Sequence, residues 1–175
     1  LGGETEITGL SLDSRQSDRA LTDILKAFGA DIKCGSSVSV CKSELSGITV
    51  DISQCPDLFP TLAVTACAAH GDTVFTNAAR LRIKESDRIE AVEKMITSLG
   101  GFAESTPDSL TVHGTGTLAG GEVNSFNDHR IVMAAAVAAC ICESPVVIKD
   151  AQAVNKSYPD FFEDYKKLGG KADVI

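Results

Sequence analysis

The chain has 175 residues, of which 43% are hydrophobic and 23% are charged, an ordinary balance for a single globular domain. Its formal net charge of -8 argues against a nucleic-acid partner, because neutralising phosphates requires a basic surface. No apolar run approaches the roughly 20 residues that cross a bilayer, so no membrane association is expected. Any anionic ligand must therefore be held by a local cluster of cations.

Three predicted helices end at glycines that recur at nearly equal intervals, Gly29, Gly100 and Gly169. Glycine ends helices readily because it adopts left-handed backbone angles without strain. A fixed period indicates a supersecondary unit that is used several times. We therefore interpret residues 1–175 as one domain with repeat units at about 1–50, 51–120 and 121–175.

The hydrophobic spacing assigns elements to each unit in chain order. The first unit is predicted to contain a strand at 6–8, a helix at 18–28, and strands near 31–33 and 38–42. The second contains an apolar helix at 58–70, a strand at 73–76, a helix at 87–99, and strands at 102–103 and 110–112. The third contains an apolar helix at 129–142, a strand at 146–148, a helix at 160–168, and a last strand near 173–175.

The helices are of two kinds. Residues 131–142 are small and apolar on all sides, which predicts an inner helix packed all round. In residues 87–99, Ile89, Val92, Ile96 and Leu99 form one stripe, which predicts an outer helix with one buried face. The first unit has no apolar helix and Leu1 is not methionine, so we expect a fragment of a longer protein that lacks one inner helix.

Other residue patterns point to structure rather than chemistry. The six cysteines contain no Cys-x-x-Cys spacing, and buried, reduced thiols are expected. The glycine-rich run 113–121 is interpreted as a turn between strands, because no helix follows it at the spacing of a phosphate loop. His70 and His113 are given no role.

Ionisable residues are concentrated before three predicted helices, at 84–88, 127–130 and 155–160. Helix N-termini favour anions, and arginine adds a planar donor fork that matches phosphate or carboxylate. In aligned repeats these segments lie at the same end of the fold, with Lys84 and Lys156 in matching places. The alternatives are solvated helix starts with local ion pairs, and capping roles for Asp57 and for residues 127–130.

Four segments together resemble the C-terminal part of the 5-enolpyruvylshikimate-3-phosphate synthase family: Asp57 after Cys55-Pro56, residues 81–88 (LRIKESDR), residues 126–130 (FNDHR) and residues 156–160 (KSYPD). The resemblance covers essentially the whole chain. It implies an α/β (α+β) fold of two similar domains, each an inside-out barrel of three βαβαββ units with inner and outer helices. The site would lie in the cleft between the domains.

The resemblance also implies a reaction, in which the enolpyruvyl group of phosphoenolpyruvate moves to the 5-hydroxyl of shikimate 3-phosphate and phosphate is released. Asp57 would accept a proton near the shikimate hydroxyls, and Glu85 would transfer a proton at the methylene carbon. Lys84 would reach the shikimate moiety. Phosphoenolpyruvate would be bound by Arg88, Arg130 and Lys156. His129, next to Arg130, would support these residues without contacting the substrate.

The sequence departs from part of the family at Arg80, where some members carry an Asn-Trp pair that touches shikimate. Because the task is mainly electrostatic, neither a metal nor an organic cofactor is expected. We further expect that the fragment alone is inactive and exposes an apolar flank where the missing inner helix would pack. The full-length protein is expected to contain a second domain, to be a monomer, and to be located in the cytoplasm, or in the plastid if it comes from a plant. The alternatives are a related transferase acting on a UDP-amino sugar, and a non-catalytic repeat module that binds a partner.

Overall fold

A computed structural model describes residues 3–11 and 13–173, and in those residues strands and helices follow one another in a repeated order. The elements are β1 Glu4–Ile7, α1 Leu21–Ala27, β2 Asp31–Cys34, β3 Val38–Cys41, β4 Thr49–Asp51, α2 Phe59–Ala68, β5 His70–Thr76, α3 Arg88–Ser98, β6 Phe102–Ser105, β7 Leu110–Thr115, β8 Gly121–Asn124, α4 His129–Ala138, β9 Val146–Lys149 and α5 Phe161–Lys167. Short 3-10 helices include Pro56–Leu58, Ala79–Ile83 and Ala151–Lys156.

The sheet topology follows the same repeat. The central sheet has the order β4-β5-β7-β6, with β4 and β5 parallel and the other pairs antiparallel. The β8-β9 pair is parallel like β4-β5, and the β1-β3-β2 sheet repeats the antiparallel part. The described segment from β4 to β7 is therefore a whole βαβαββ unit, preceded by the last part of one and followed by the first part of another.

Two helices form the centre of the core. Helices α2 and α4 pack against each other, and nearly all their apolar side chains are buried. Phe59 of α2 meets Phe75 of β5 edge to face, with 5.3 Å between the ring centroids. Helix α4 departs from the sequence prediction, because Val137 is 39% exposed. One side of this inner helix therefore faces outward rather than being packed all round.

The amphipathic and glycine-based predictions are confirmed. Helix α3 buries Ile89, Val92 and Ile96. The chain turns with positive φ at each predicted stop, Gly29, Gly100 and Gly169. The glycine-rich run passes from β7 into a turn and then into β8, as expected. A Cβ at Gly114 would lie 2.2 Å from the carbonyl oxygen of Ala66, so glycine lets β7 approach α2 closely.

The prediction was wrong about several element boundaries. It omitted β4 and β8, which span only three and four residues and bury Val50 and Val123. Length alone does not explain the omission, because β2 and β9 are also four residues long and were predicted. The helix predicted to reach His70 ends at Ala68, because the His70 amide bonds to the Leu45 carbonyl and opens β5. The predicted 129–142 helix tightens into a 3-10 turn after Ala138.

Some predictions concern residues beyond these elements. Asp173 is not in a strand, and residues 174 and 175 of the predicted last strand lie outside the described residues. The expectation of buried cysteines holds for Cys55 and Cys67, whereas Cys34 is exposed and the other three are partly buried. Burial raises the pKa of the Cys67 thiol to about 12. No helix in the described part of the chain combines the length and the apolar character needed to cross a membrane.

Candidate functional site

The candidate site forms where the chain leaves four strands. Asp57 follows β4, residues 84–88 follow β5, residues 128–130 follow β8, and Lys156 follows β9. Because β4-β5 and β8-β9 are parallel pairs, each pair presents two carboxyl ends at one edge. The packing of α2 against α4 then brings the two edges together.

Asp57 is surrounded by three cations. Its Oδ1 accepts from Arg88 at 2.7 Å and lies 3.5 Å from Lys84 Nζ, while Oδ2 lies 3.0 Å from Arg130. Arg130 also donates to the Asp57 carbonyl oxygen at 3.0 Å. Partial burial raises the pKa of Asp57, but the hydrogen bond from Arg88 and the charges of Arg130 and Lys84 outweigh it and lower the pKa. Asp57 lies inside the 3-10 helix before α2 and makes no capping bond to α2, so the simple N-cap interpretation is wrong.

Arg88 and Asp128 form a buried ion pair. The Arg88 side chain is 2% exposed and that of Asp128 is fully buried. Arg88 donates from Nε at 2.8 Å and from a terminal nitrogen at 3.4 Å, which makes the pair two-pronged. Asp128 also accepts hydrogen bonds from the Ser86 hydroxyl at 3.0 Å and from the Arg130 amide at 3.0 Å. Burial raises the pKa of Asp128, but these donors outweigh it, so the pKa lies below its ordinary value.

Asp128 therefore has two tasks, since the same carboxylate caps α4 and neutralises Arg88. The burial of Arg88 excludes the interpretation of residues 84–88 as a solvated helix start. Sequence reasoning missed Asp128 and Ser86 as site residues. One available signal was an aspartate at the N-cap of both α3 and α4 that is followed by an arginine one or two residues later, in Asp87-Arg88 and Asp128-His129-Arg130.

Glu85 lies beside this pair in a more open environment. Its side chain is 40% exposed, and its Oε2 is 3.0 Å from Nδ1 of His129. Lys156 Nζ lies 4.0 Å from the same oxygen and donates to the Asn127 carbonyl oxygen. Glu85, His129 and Lys156 thus form a second group next to the Asp57 cluster.

The turn before α4 is unusual in its backbone. Phe126 and Asn127 both have positive φ, 52° and 55°, and the Asp128 amide bonds back to the Ser125 carbonyl at 2.9 Å. Asn124 Oδ1 accepts from the Phe126 amide at 2.7 Å and supports the turn. Positive φ is costly for a bulky residue such as Phe126, and such strain is concentrated at functional sites.

The register of the repeat corrects one sequence inference. Asn77 after β5 and Asp150 after β9 both have positive φ, and they mark equivalent places. Counted from these residues, the counterpart of Lys84 is Ser157 rather than Lys156. The two lysines therefore reach the site from different positions in their loops.

A metal ion does not suit this group of residues. Oxygen and nitrogen atoms of Glu85, Asp128 and His129 lie within 4.8 Å of one another, close enough for a common ligand sphere. However, both Asp128 oxygens already accept from Arg88, and a divalent cation would have to displace that buried guanidinium.

Two surface grooves lie away from the candidate site and arise from the repeat architecture. A groove of about 660 Å³ lies between α3 and β8, and one of about 290 Å³ lies between α1 and β4. Both lie between the outer helix of one unit and the first strand of the next. Their equivalence indicates that they arise from stacking of the units rather than from a ligand site.

The fold and the cluster together define an α/β repeat domain whose helix starts meet in a site suited to anions. The family model described as EPSP synthase (3-phosphoshikimate 1-carboxyvinyltransferase) matches residues 1–165. The 3-phosphoshikimate 1-carboxyvinyltransferase of Clostridium novyi is 47% identical over 174 residues, and that of Clostridioides difficile is 43% identical over 175. Each alignment covers 99% of this chain and 40% of the relative.

Solved structures agree with these sequence matches. EPSP synthase from Acinetobacter baumannii superposes with a TM-score of 0.84 at 29% identity, over 95% of this chain and 42% of that one. The enolpyruvyl transferase NikO from Streptomyces tendae gives 0.75 at 20% identity, over 96% and 39%, and shares the fold. The chain belongs to the EPSP synthase family, which confirms the predicted resemblance and fold class. It spans about 40% of the length of the curated relatives it matches.

Proposed function

We propose that the whole protein transfers the enolpyruvyl group of phosphoenolpyruvate to the 5-hydroxyl of shikimate 3-phosphate and releases phosphate. The observation that carries this proposal is the cluster of Asp57 with Lys84, Arg88 and Arg130 in a chain of the EPSP synthase family. Four cations, Lys84, Arg88, Arg130 and Lys156, lie together in a chain of net charge -8.

The charges of the cluster support binding of anionic substrates. The side chains of Lys84, Arg130 and Lys156 are 30%, 28% and 42% exposed, so an entering phosphate or carboxylate can reach them. We assign phosphoenolpyruvate to Arg88, Arg130 and Lys156, and the shikimate moiety to Lys84 and Asp57. Arg88 would take part through the nitrogen that now faces Asp57, while Asp128 holds its other side.

The reaction proceeds by addition and then elimination, and both steps move protons. In the addition step, the methylene carbon of phosphoenolpyruvate gains a proton, and the 5-hydroxyl oxygen bonds to the adjacent carbon as its own proton leaves. In the elimination step, the new methyl group loses a proton and the bond to phosphate breaks. A pair of carboxylates in different environments can divide such acid and base tasks.

We assign the hydroxyl proton to Asp57 and the proton at the methylene carbon to Glu85. The hydrogen bond from Arg88 and the charges of Arg130 and Lys84 lower the pKa of Asp57, which makes it a weak base in this arrangement. Substrate anions would draw Arg130 and Lys84 away from Asp57 and make it more basic. Glu85 contacts His129 and is solvent-accessible, so it can exchange protons during both steps. His129 would orient Glu85 as a support residue.

Several wider proposals follow from family membership. Residues 1–175 would form one domain of three repeat units, and the rest of the polypeptide would supply the facing domain and the remaining substrate contacts. We expect no turnover by this chain alone. The complete protein would be a monomer that works in the cytoplasm, or in the plastid of a plant.

The test is an assay of phosphate release by the complete polypeptide that contains this chain. Turnover should require both substrates and fall by about 10² to 10⁴ in Asp57→Ala and Glu85→Ala. Lys167→Ala is a control, because it removes an exposed cation paired with Asp164 at 2.8 Å on α5. A well-folded complete polypeptide without phosphate release would contradict the proposal, and a UDP-amino sugar acceptor would be assayed next. Turnover by residues 1–175 alone would contradict the need for a second domain.

A further inference from the structure

Arg82 uses all three of its guanidinium nitrogens in one arrangement, called here the Arg82 clasp. Nε donates to the Pro107 carbonyl at 2.8 Å, one terminal nitrogen donates to Asp87 at 2.7 Å, and the other donates to the Thr106 carbonyl at 2.6 Å. The clasp therefore ties the segment before α3 to the turn between β6 and β7. Neither Arg82 nor Asp87 belongs to the cluster described above.

The segment inside the clasp has little hydrophobic burial of its own. Its ends are fixed, because Leu81 is 1% exposed and the Arg88 side chain is 2% exposed. Between them Ile83 is 84% exposed, so hydrophobic packing does not fix the backbone there. Lys84 and Glu85 come directly after Ile83 and point their side chains at Asp57 and His129.

The turn that receives Arg82 is itself well held. The Asp108 carbonyl accepts from the Ala78 amide at 2.7 Å, and the Thr106 amide donates to the Ser109 carbonyl at 3.0 Å. At the other end of the clasp, Asp87 caps α3 by accepting from the Glu90 amide at 3.1 Å. Arg82 thus joins two fixed points across the segment that carries Lys84 and Glu85.

We propose that Arg82 is a positioning residue of the transfer reaction, which orients Lys84 and Glu85 without touching either substrate. This inference rests on the proposed function for its kinetic consequence. The guanidinium is suited to the role because its rigid fork serves three acceptors in fixed directions. A lysine could keep the ion pair with Asp87 but could not also reach both carbonyls.

The experiment compares Arg82→Gln, Arg82→Lys and the Lys167→Ala control in the complete polypeptide. Steady-state kinetics would be measured for each substrate, and hydrogen exchange would be followed in peptides that cover residues 83–87 and 106–109. For Arg82→Gln we expect faster exchange in both segments, a lower kcat, and a rise of about ten- to hundredfold in the KM for shikimate 3-phosphate. The KM for phosphoenolpyruvate should change by less than about threefold. Its proposed ligands Arg88, Arg130 and Lys156 make contacts that do not involve Arg82, and these contacts are kept.

The outcomes separate positioning from general structural support. A purely structural role would lower the active fraction of enzyme and leave both KM values unchanged, whereas positioning splits the two KM values. Arg82→Lys should lie between the parent and Arg82→Gln in both measurements. Unchanged exchange in Arg82→Gln, or faster exchange with unaltered kinetics, would overturn the inference. If the parent itself released no phosphate, the proposed function would fail, and the exchange data alone would still decide whether Arg82 orders the segment.

Discussion

Replacement of Asp128 by asparagine should destabilise the protein through a charge left without its partner. The side chain keeps its shape, and asparagine is as good an N-cap as aspartate, so the capping bond to α4 is retained. What is lost is the counter-charge of Arg88, which is 2% exposed. Breaking a buried ion pair by removing one partner costs about 3 to 5 kcal/mol.

The structure places the expected cost near the lower end of that range. Arg88 still has Asp57 at 2.7 Å, although this second carboxylate is 36% exposed and its charge is partly screened by water. We therefore expect about 3 kcal/mol, or a fall in melting temperature of about 6 to 12 °C for a domain of this size. Thermal and urea denaturation of the parent and the variant would measure it.

A matched control is the N-cap of α3. Asp87→Asn also neutralises a capping aspartate paired with an arginine, but Asp87 and Arg82 are each 31% exposed. Its cost should stay near 1 kcal/mol or below, the range for exposed pairs. In addition, Arg88→Met combined with Asp128→Asn should be more stable than Asp128→Asn alone, because no buried charge remains. Equal losses in Asp128→Asn and Asp87→Asn would refute the reasoning.

Two further predictions concern acid stability and backbone packing. The lowered pKa values of Asp57 and Asp128 mean that their stabilisation is complete above the ordinary carboxyl pKa of about 3.9 and is lost as pH falls through the folded-state values. Denaturation between pH 7 and pH 2 should therefore show a steep loss below about pH 4 that is shallower in Asp128→Asn, and parallel profiles would contradict this. Gly114→Ala should cost about 1 to 3 kcal/mol in urea denaturation, because its Cβ would lie 2.2 Å from the Ala66 carbonyl oxygen. Gly35→Ala, where a Cβ meets nothing within 4 Å, is the control, and equal effects would contradict the packing argument.

Local signals in the sequence predicted much of the fold. The stops at Gly29, Gly100 and Gly169 and the stripe of α3 depend on neighbouring residues, so they could be identified without tertiary contacts. Strands β4 and β8 were missed, and in the structure they are defined by their parallel pairing with β5 and β9. The exposure of the Val137 side chain likewise depends on which elements pack against α4, and no local sequence pattern predicts it.

The sequence predicted which residues belong to the candidate site better than it predicted which of them form ion pairs with one another. Motif positions singled out Asp57, Glu85 and Arg130, and the structure brings their segments together. The partnership of Arg88 with Asp128 links residues 40 positions apart, and only the docking of two units creates it. In the sequence Asp128 has the position of an ordinary helix cap, and only the structure shows that it is also the counter-charge of the buried Arg88.

Several of the described site contacts join different repeat units. Asp57 and Arg88 belong to the unit that runs from β4 to β7, whereas Asp128 and Arg130 belong to the unit that begins at β8. The Arg88–Asp128 and Arg130–Asp57 ion pairs thus link two folding units, and they exist only while α2 and α4 remain docked. Cooperative folding and assembly of the site are consequently the same event, because separation of the units would leave cations and carboxylates on opposite surfaces.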